Sequence, residues 1–469
     1  MNNLYKHREL LQGSDLEYRA YAPYSPEDSL YKHVVSAERL HQRKKELISQ
    51  MDENGLDAVV IYGDREHFGN IKCFTGFDPR FEEALLIIHK DGRMFSALGN
   101  ECYGLAAQSP VEITPVYCPI LSLPNQPTKN SSGLGQCLRD CGLNYGMQIG
   151  TVDWKIFTDA EDSNEGFFPA YIYRKLEQIC GRSPQNVTDL LMHPDYGLRV
   201  LNSCDEIAEL EYGATIASRA LWDVMKAAIP GKTESSVAIA AKSYGQPLST
   251  HPTLKAGINA HKSMFSPTDN VLREYDEISF TYGVVGGLSC RRGYLSKELP
   301  PIGMKTNEYL ERFVQPYMAT VFNWYRMIQI GRKCGDIYDM VEEGLPQQAF
   351  GWSLNPGHYL GYEEWLSSPF YKGSDICLKS GMVLQMDIIP SHPNMALPKC
   401  EDGICIADAA LQAELAEKYP DTYARFMQRR VFMQEQLGLS IAPELLPMSD
   451  YIAAYNPFLL NQNMAIVIK

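Results

Sequence analysis

Three short stretches carry the residues with the most chemistry. In NPGHYLGYEE, close glycines let the backbone turn tightly and present His358. An imidazole with an ordinary pKa of about 6.5 gives and takes protons at neutral pH; the plainer reading is a structural ring bonded to a loop carbonyl. LKSGMVLQMDIIP is an apolar strand that ends in Asp387, and a buried acid needs a partner. SFTYGVVGGLSCRRGYL reads as a strand, a Gly-Gly bend and a return strand bearing Arg291 and Arg292. Neighbours on a strand face opposite sides, so one arginine faces the pocket and the other does not. A pocket-facing guanidinium grips a carboxylate or phosphate through two parallel hydrogen bonds, and either arginine is the natural partner of Asp387. Tyr282 adds a hydroxyl donor. The chemistry indicated is proton transfer on a small anion.

Positioning these groups requires a particular order of elements. Residues 1–35 hold Ser-Pro and Pro-Glu-Asp breaks without a sustained period and read as an extended arm. SAERLHQRKKELISQMDENG then reads as a helix stopped at Gly55, LDAVVIYG as a buried strand, and EALLIIHKDGRMFSAL as a hairpin turning at Asp91-Gly92. With the strand QIGTVDW they predict an α/β domain over 36–195. A second domain, 196–469, opens with a long helix whose N-cap is Ser203 and whose capping-box partner is Glu206. Helices at 234–244, 303–328 and 335–349, and strands at 277–285, 287–294, 382–389 and 403–408, make it α+β, with helices wrapped on an antiparallel sheet.

Composition narrows the function classes. The chain has 469 residues, 45% apolar and 21% charged, and no apolar run of membrane-spanning length. A formal charge of −14 without clustered Lys and Arg argues against a nucleic-acid surface, while leaving room for a local basic pocket. The polar N-terminus lacks the features of a signal peptide, and the 12 cysteines show no C-x-x-C pair, so cytoplasmic location and reduced core thiols are expected.

The second half resembles the creatinase, prolidase and aminopeptidase P family. SCDEIAELEYGATIASRALWDVMKAAIPGKTE is similar to that family's opening helix and Pro-Gly-x-Thr-Glu exit, and GINAHKSMFSPTDNVLREYDEISFTYG to its substrate loop and first active-site strand. NPGHYLGYEE is similar to its Gly-His-x-x-Gly turn, and LKSGMVLQMDIIP to its Gly-Met-Val strand ending in an acid; upstream, GLDAVVIYGDREHFGNIKCFTGFD resembles the start of its N-terminal domain. The resemblance runs from about residue 36 to 410. It implies a pita-bread C-terminal domain preceded by a smaller creatinase-type α/β domain.

Metal-dependent members of that family hold two divalent ions with two Asp from the hairpin, a His and two later Glu. Here the first Asp falls on Thr281 and the second on Arg292, or on Arg291 with a one-residue gap. His358 and Asp387 keep coordinating side chains, and the last Glu falls on Ala407, with Asp408 beside it. A guanidinium cannot ligate a metal. The expectation is therefore a site without metal or other cofactor, for which creatinase is the family's precedent. Creatinase's catalytic loop His falls on Met264, with His261 three residues earlier. Cys290 shares a face with Arg292 and Cys405 with Ala407, which places two thiols nearby.

The resemblance also places Arg80 and Phe81 of FTGFDPRFEE where creatinase-like proteins reach into a partner's pocket, which implies a homodimer with shared active sites. Trp365 replaces a second family His and becomes an apolar wall. The resulting expectation is a metal-independent, creatinase-like enzyme that hydrolyses a C–N bond of amide or amidine type in a small anionic metabolite. His358 and Asp387 are the catalytic pair; Arg291, Arg292, Arg80, Phe81, His261, Tyr282, Trp365 and Asp408 hold substrate. The alternatives are a catalytically silent ligand- or partner-binding protein, a lyase on a small carboxylate, and an Xaa-Pro aminopeptidase.

Overall fold

A computed structural model describes residues 10–26, 30–126, 132–158, 166–260, 264–364, 366–393 and 395–469. The chain divides into two compact units: His33–Glu206 with Gly361–Ser367, and Met1–Lys32 with Ile207–Leu360 and Ser368–Lys469.

In the first of these units, the dense apolar runs become the central strands Ala58–Gly63 and Ala84–His89 of a six-stranded mixed sheet. The His89–Met94 turn is made at Asp91-Gly92, where Gly92 takes φ 88. Helices cover the sheet. Ala37–Glu53 starts from Ser36, whose hydroxyl accepts from the Arg39 N–H, and buries Leu40, Leu47 and Met51 at helical spacing.

The other unit is built on a seven-stranded antiparallel sheet. Its main path runs His358–Tyr359, Val383–Ile388, Lys399–Ile406, Gly287–Tyr294, Glu277–Val284, Thr253–Ala256, and Leu445–Pro447 pairs alongside Lys399–Ile406. The long helix Cys204–Ala227 packs its Leu221, Val224 and Met225 against Leu254, Ile278 and Phe280, so one face of the sheet is covered by helix. The Gly-Gly bend exists because of this packing. Gly286 sits at φ 98, and a Cβ on Gly287 would lie 2.2 Å from Ala214 Cα. Leu16–Ala20, within the segment read as an arm, pairs with the chain's own Met464–Ile468.

A buried ion network ties the long helix to Pro420–Glu435. Glu211 accepts from Arg425 Nε (2.9 Å) and Nη2 (2.6 Å), from Arg429 Nη1 (2.6 Å) and from the Thr215 hydroxyl (2.8 Å). Arg429 also donates to Asp450, as does Arg219. Two residues just beyond, Tyr451 and Ala453, both lie at φ 58, the left-handed region that costs a non-glycine residue on the order of 1–2 kcal/mol.

Candidate active site

Strand register assembles a continuous polar strip on the sheet face opposite the long helix. Cross-strand partners share a face, and Thr253, Thr281, Cys290, Glu401 and Asp387 are successive partners across five strands. The next row holds Lys255, Ser279, Arg292 and Lys399. A third, near one edge, aligns His358, Gln385 and Gly403. Such a density of charged and hydroxyl groups in the middle of a buried sheet has no packing purpose.

Several of these groups have no hydrogen-bond partner among the described residues: Thr253 Oγ1, Ser279 Oγ, Arg292 Nε, Gln385 Oε1 and Asp387 Oδ1. For Arg292 Nε the closest carboxylate oxygen is Glu277 Oε1, 3.6 Å away, beyond hydrogen-bond length. Gln385 spends its amide on the Leu288 carbonyl (2.7 Å), which leaves its oxygen as the open acceptor.

Electrostatics separates the two facing acids. Burial, followed by the Glu401 carboxylate, pushes the Asp387 carboxyl well above its ordinary range, with Lys399 opposing only in part. Asp387 thus holds its proton more tightly than an ordinary carboxyl, across the register from Glu401. Burial would lower Lys399, but Cys290 and Glu401 outweigh it and keep the ammonium charged, 3.5 Å from Glu401 Oε1. Burial also pushes the Cys290 thiol up to about 11, so it is an inert thiol that accepts from the Thr281 hydroxyl at 3.1 Å. His358 Nδ1–H donates to the Tyr359 carbonyl at 2.8 Å, which leaves Nε2 as an open acceptor.

The expected site residues divide accordingly. His358, Asp387 and Arg292 lie on the polar face. Arg291 does not: it pairs in register with Phe280 on the helix-covered side, where its five donors go to Ala454 O, Cys290 O, Glu401 O, Tyr451 O and Asp402 Oδ2. None is left for a ligand. The arginine partner expected for Asp387 is replaced by Glu401 and Lys399, and Arg291 instead pairs with Asp402 at 2.8 Å. Tyr282, adjacent to Thr281, packs on the helix side with Ile216 and Ala217. Asp408 caps the helix Ala409–Lys418 by accepting from the Leu411 N–H at 2.9 Å. Arg80 donates to Asp78 at 2.7 Å and lies 4.2 Å over the Phe68 ring; Phe81 is 76% exposed. His261 and Trp365 fall outside the described residues.

The acidic position placed on Ala407 needs correction. The residue facing Asp387 is Glu401, because the strand expected at 403–408 starts at Lys399. KCED looks like a charged turn, yet its alternation, Lys399 and Glu401 to one face and Cys400 and Asp402 to the other, is the signal that a strand had already begun.

Neither any family model nor any curated protein matches the sequence. Solved structures do match the fold. The prolidase from Pyrococcus horikoshii OT3 aligns at 16% identity and TM-score 0.61, covering 78% of this chain and 95% of that one. The Xaa-Pro dipeptidase from Bacillus anthracis aligns at 15% and 0.60, covering 79% and 96%. The E. coli aminopeptidase P with the inhibitor Pro-Leu aligns at 15% and 0.56, covering 85% and 100%. The chain thus has the pita-bread fold that the sequence resemblance implied, and at this identity the likeness concerns fold alone.

Proposed function

We propose that the protein is a metal-independent hydrolase that cleaves a C–N bond, of amide or amidine type, in a small anionic metabolite. The observation that carries this reading is the set of buried polar atoms left without partners on one sheet face, beside two fixed cations. Such atoms cost free energy unless something pairs with them. A ligand with an anionic group satisfies Arg292 and Ser279, and N–H groups on it satisfy Gln385 Oε1 and Asp387 Oδ1.

The donor set does not fit a pair of divalent ions. Thr281 and Cys290 face each other on the hairpin in the row of Glu401 and Asp387, Arg292 and Lys399 put two fixed positive charges in the next row, and burial beside Glu401 opposes ionisation of Asp387, so a metal pair would meet repulsion without the bridging carboxylates that offset it. Among the described residues no group of three or more His, Cys, Asp or Glu side chains is arranged to hold a metal ion.

Chemistry then rests on the side chains. His358 Nε2 takes a proton from water as the oxygen adds to the carbonyl or amidine carbon. The C–N bond breaks with its electron pair on nitrogen, and Asp387 supplies the proton that nitrogen needs. Return of the His358 proton to Asp387 through solvent closes the balance. Lys399 and Arg292 hold the anion and stabilise charge on the tetrahedral adduct. C–N hydrolysis is also what the peptidase names of the structural neighbours describe, which supports the reaction class without specifying the substrate. The working form we propose is a cytoplasmic homodimer in which the exposed Phe81, with Arg80, reaches the partner's site; light scattering tests the dimer.

The test uses full-length protein treated with a chelator. A mixture of N-acyl, N-carbamoyl and amidino carboxylates is screened by mass spectrometry for loss of substrate. Chelator-resistant turnover that falls at least about 100-fold in Asp387→Asn is expected for an acid catalyst. Stoichiometric bound metal that activity follows, or turnover untouched by Asp387→Asn and Arg292→Ala, sinks the reading.

A further inference from the structure

A second cleft lies on the helix-covered side of the same unit, away from the polar strip. It has a volume of about 230 Å³ and is lined by Trp222, Met225, Lys226, Tyr451, Leu459 and Asn463, among others. Its floor is an aromatic pair: the Trp222 and Tyr451 rings stack at 4.2 Å and 27°. Lys226, exposed on the turn after Trp222, places Nζ 5.4 Å over the Tyr451 ring and 3.5 Å from its hydroxyl. Trp222 is 7% exposed, and its indole N–H is buried with no acceptor among the described residues.

The cleft is actively maintained. Tyr451 and Ala453 both hold left-handed backbone, which persists only where the surroundings over-determine it. Here the Arg291–Asp402 pair does so: Arg291 donates to the Tyr451 and Ala454 carbonyls, and Asp402 accepts from the Ala453 N–H. The two charges buried behind the sheet thus fix the loop that presents Tyr451. Burial keeps the Tyr451 hydroxyl protonated, its pKa pushed up to about 12, so it too is a donor. The charged neighbours on the packed elements are Asp223, Asp450 and Arg219, and Asp450 is already taken by Arg429 and Arg219.

We propose that this cleft is a ligand site, separate from the polar strip, for a small carboxylate with a flat apolar body. The Lys226 ammonium and the Tyr451 phenol O–H are donors, and the Gln462 and Asn463 amides that also line the cleft each carry N–H groups, which suits a carboxylate head. Met225, Leu459 and Pro23 supply the apolar wall. Backbone strain held in place around an aromatic floor is the pattern of a binding surface.

Benzoate tests this, with benzamide as its neutral isostere, by calorimetry on the full chain. Benzoate is expected to bind saturably and more tightly than benzamide, with affinity falling about ten-fold in Lys226→Met, as for loss of a charge-assisted hydrogen bond, and several-fold in Trp222→Phe, as for loss of part of the aromatic floor. Lys226 is exposed, so its variant folds. Arg292→Ala is expected to leave benzoate affinity unchanged. The proposal is overturned by benzamide binding as well as benzoate, by both cleft variants matching the parent, by loss of binding in Arg292→Ala but not Lys226→Met, or by no saturable binding.

Discussion

Replacing Glu211 by Gln removes one charge from a fully buried ion network. The Glu211 carboxylate is fully buried among two guanidinium groups and a hydroxyl. Desolvation opposes its ionisation, but Arg429 and Arg425 more than offset this, and its pKa is held down to about 2 from an ordinary 4.5. At roughly 1.4 kcal/mol per pH unit, that difference is worth about 3 kcal/mol to the folded state at neutral pH. A buried pair broken on one side costs about 3–5 kcal/mol by independent reasoning, so the two routes agree. A depressed carboxylate contributes stability that is fully present above the unfolded pKa, about 4.5, and lost as pH falls toward about 2. Urea unfolding followed by tryptophan fluorescence, for the parent and Glu211→Gln, reads the gap directly. It is expected to be about 3 kcal/mol at pH 7 and to narrow steadily below pH 4.5. A gap under about 1 kcal/mol at pH 7, or one that stays constant down to pH 3, refutes the assignment of stability to this charge.

Three further outcomes follow from the two faces of the sheet. Arg291→Met strands Asp402 in the interior and is expected to cost about 3–5 kcal/mol in denaturant unfolding, whereas Arg292→Ala leaves the midpoint nearly unchanged and raises KM for the anionic substrate; equal stability losses would contradict the split. Asp387→Asn mimics the neutral acid, and because a raised carboxyl pKa weakens the fold as pH rises through it, the variant is expected to match or exceed the parent in stability at pH 7–8 while losing turnover, with thermal melts as the check. Gly287→Ala forces a Cβ to 2.2 Å from the Ala214 backbone, so it is expected to destabilise by more than about 2 kcal/mol, and a melt within a degree of the parent would show that helix and hairpin separate freely.

The sequence by itself determined the elements and the candidate chemistry. Periodicity and caps placed the helix after Ser36 and the long helix after Ser203, where Glu206 does accept from Ser203 N–H. The hairpin, the Gly-Gly bend, His358 and Asp387 were legible because turn residues and an apolar run mark them locally. What remained closed was register. The strand expected at 403–408 begins four residues earlier, at Lys399, and it is Glu401, six positions before Ala407, that faces Asp387; the charges in KCED hid that start. Which arginine faces the strip is likewise a one-residue parity question, and pairing with the strands on either side settles it in favour of Arg292. Partner identity is a tertiary matter for the same reason: Arg291 finds Asp402 across a strand 111 residues away, and Asp387 finds an acid where opposite charge was expected. Local patterns report which face of an element is buried; only the assembled sheet reports what lies across from each side chain, because the alignment of strands is set by long-range packing that no short window of sequence contains.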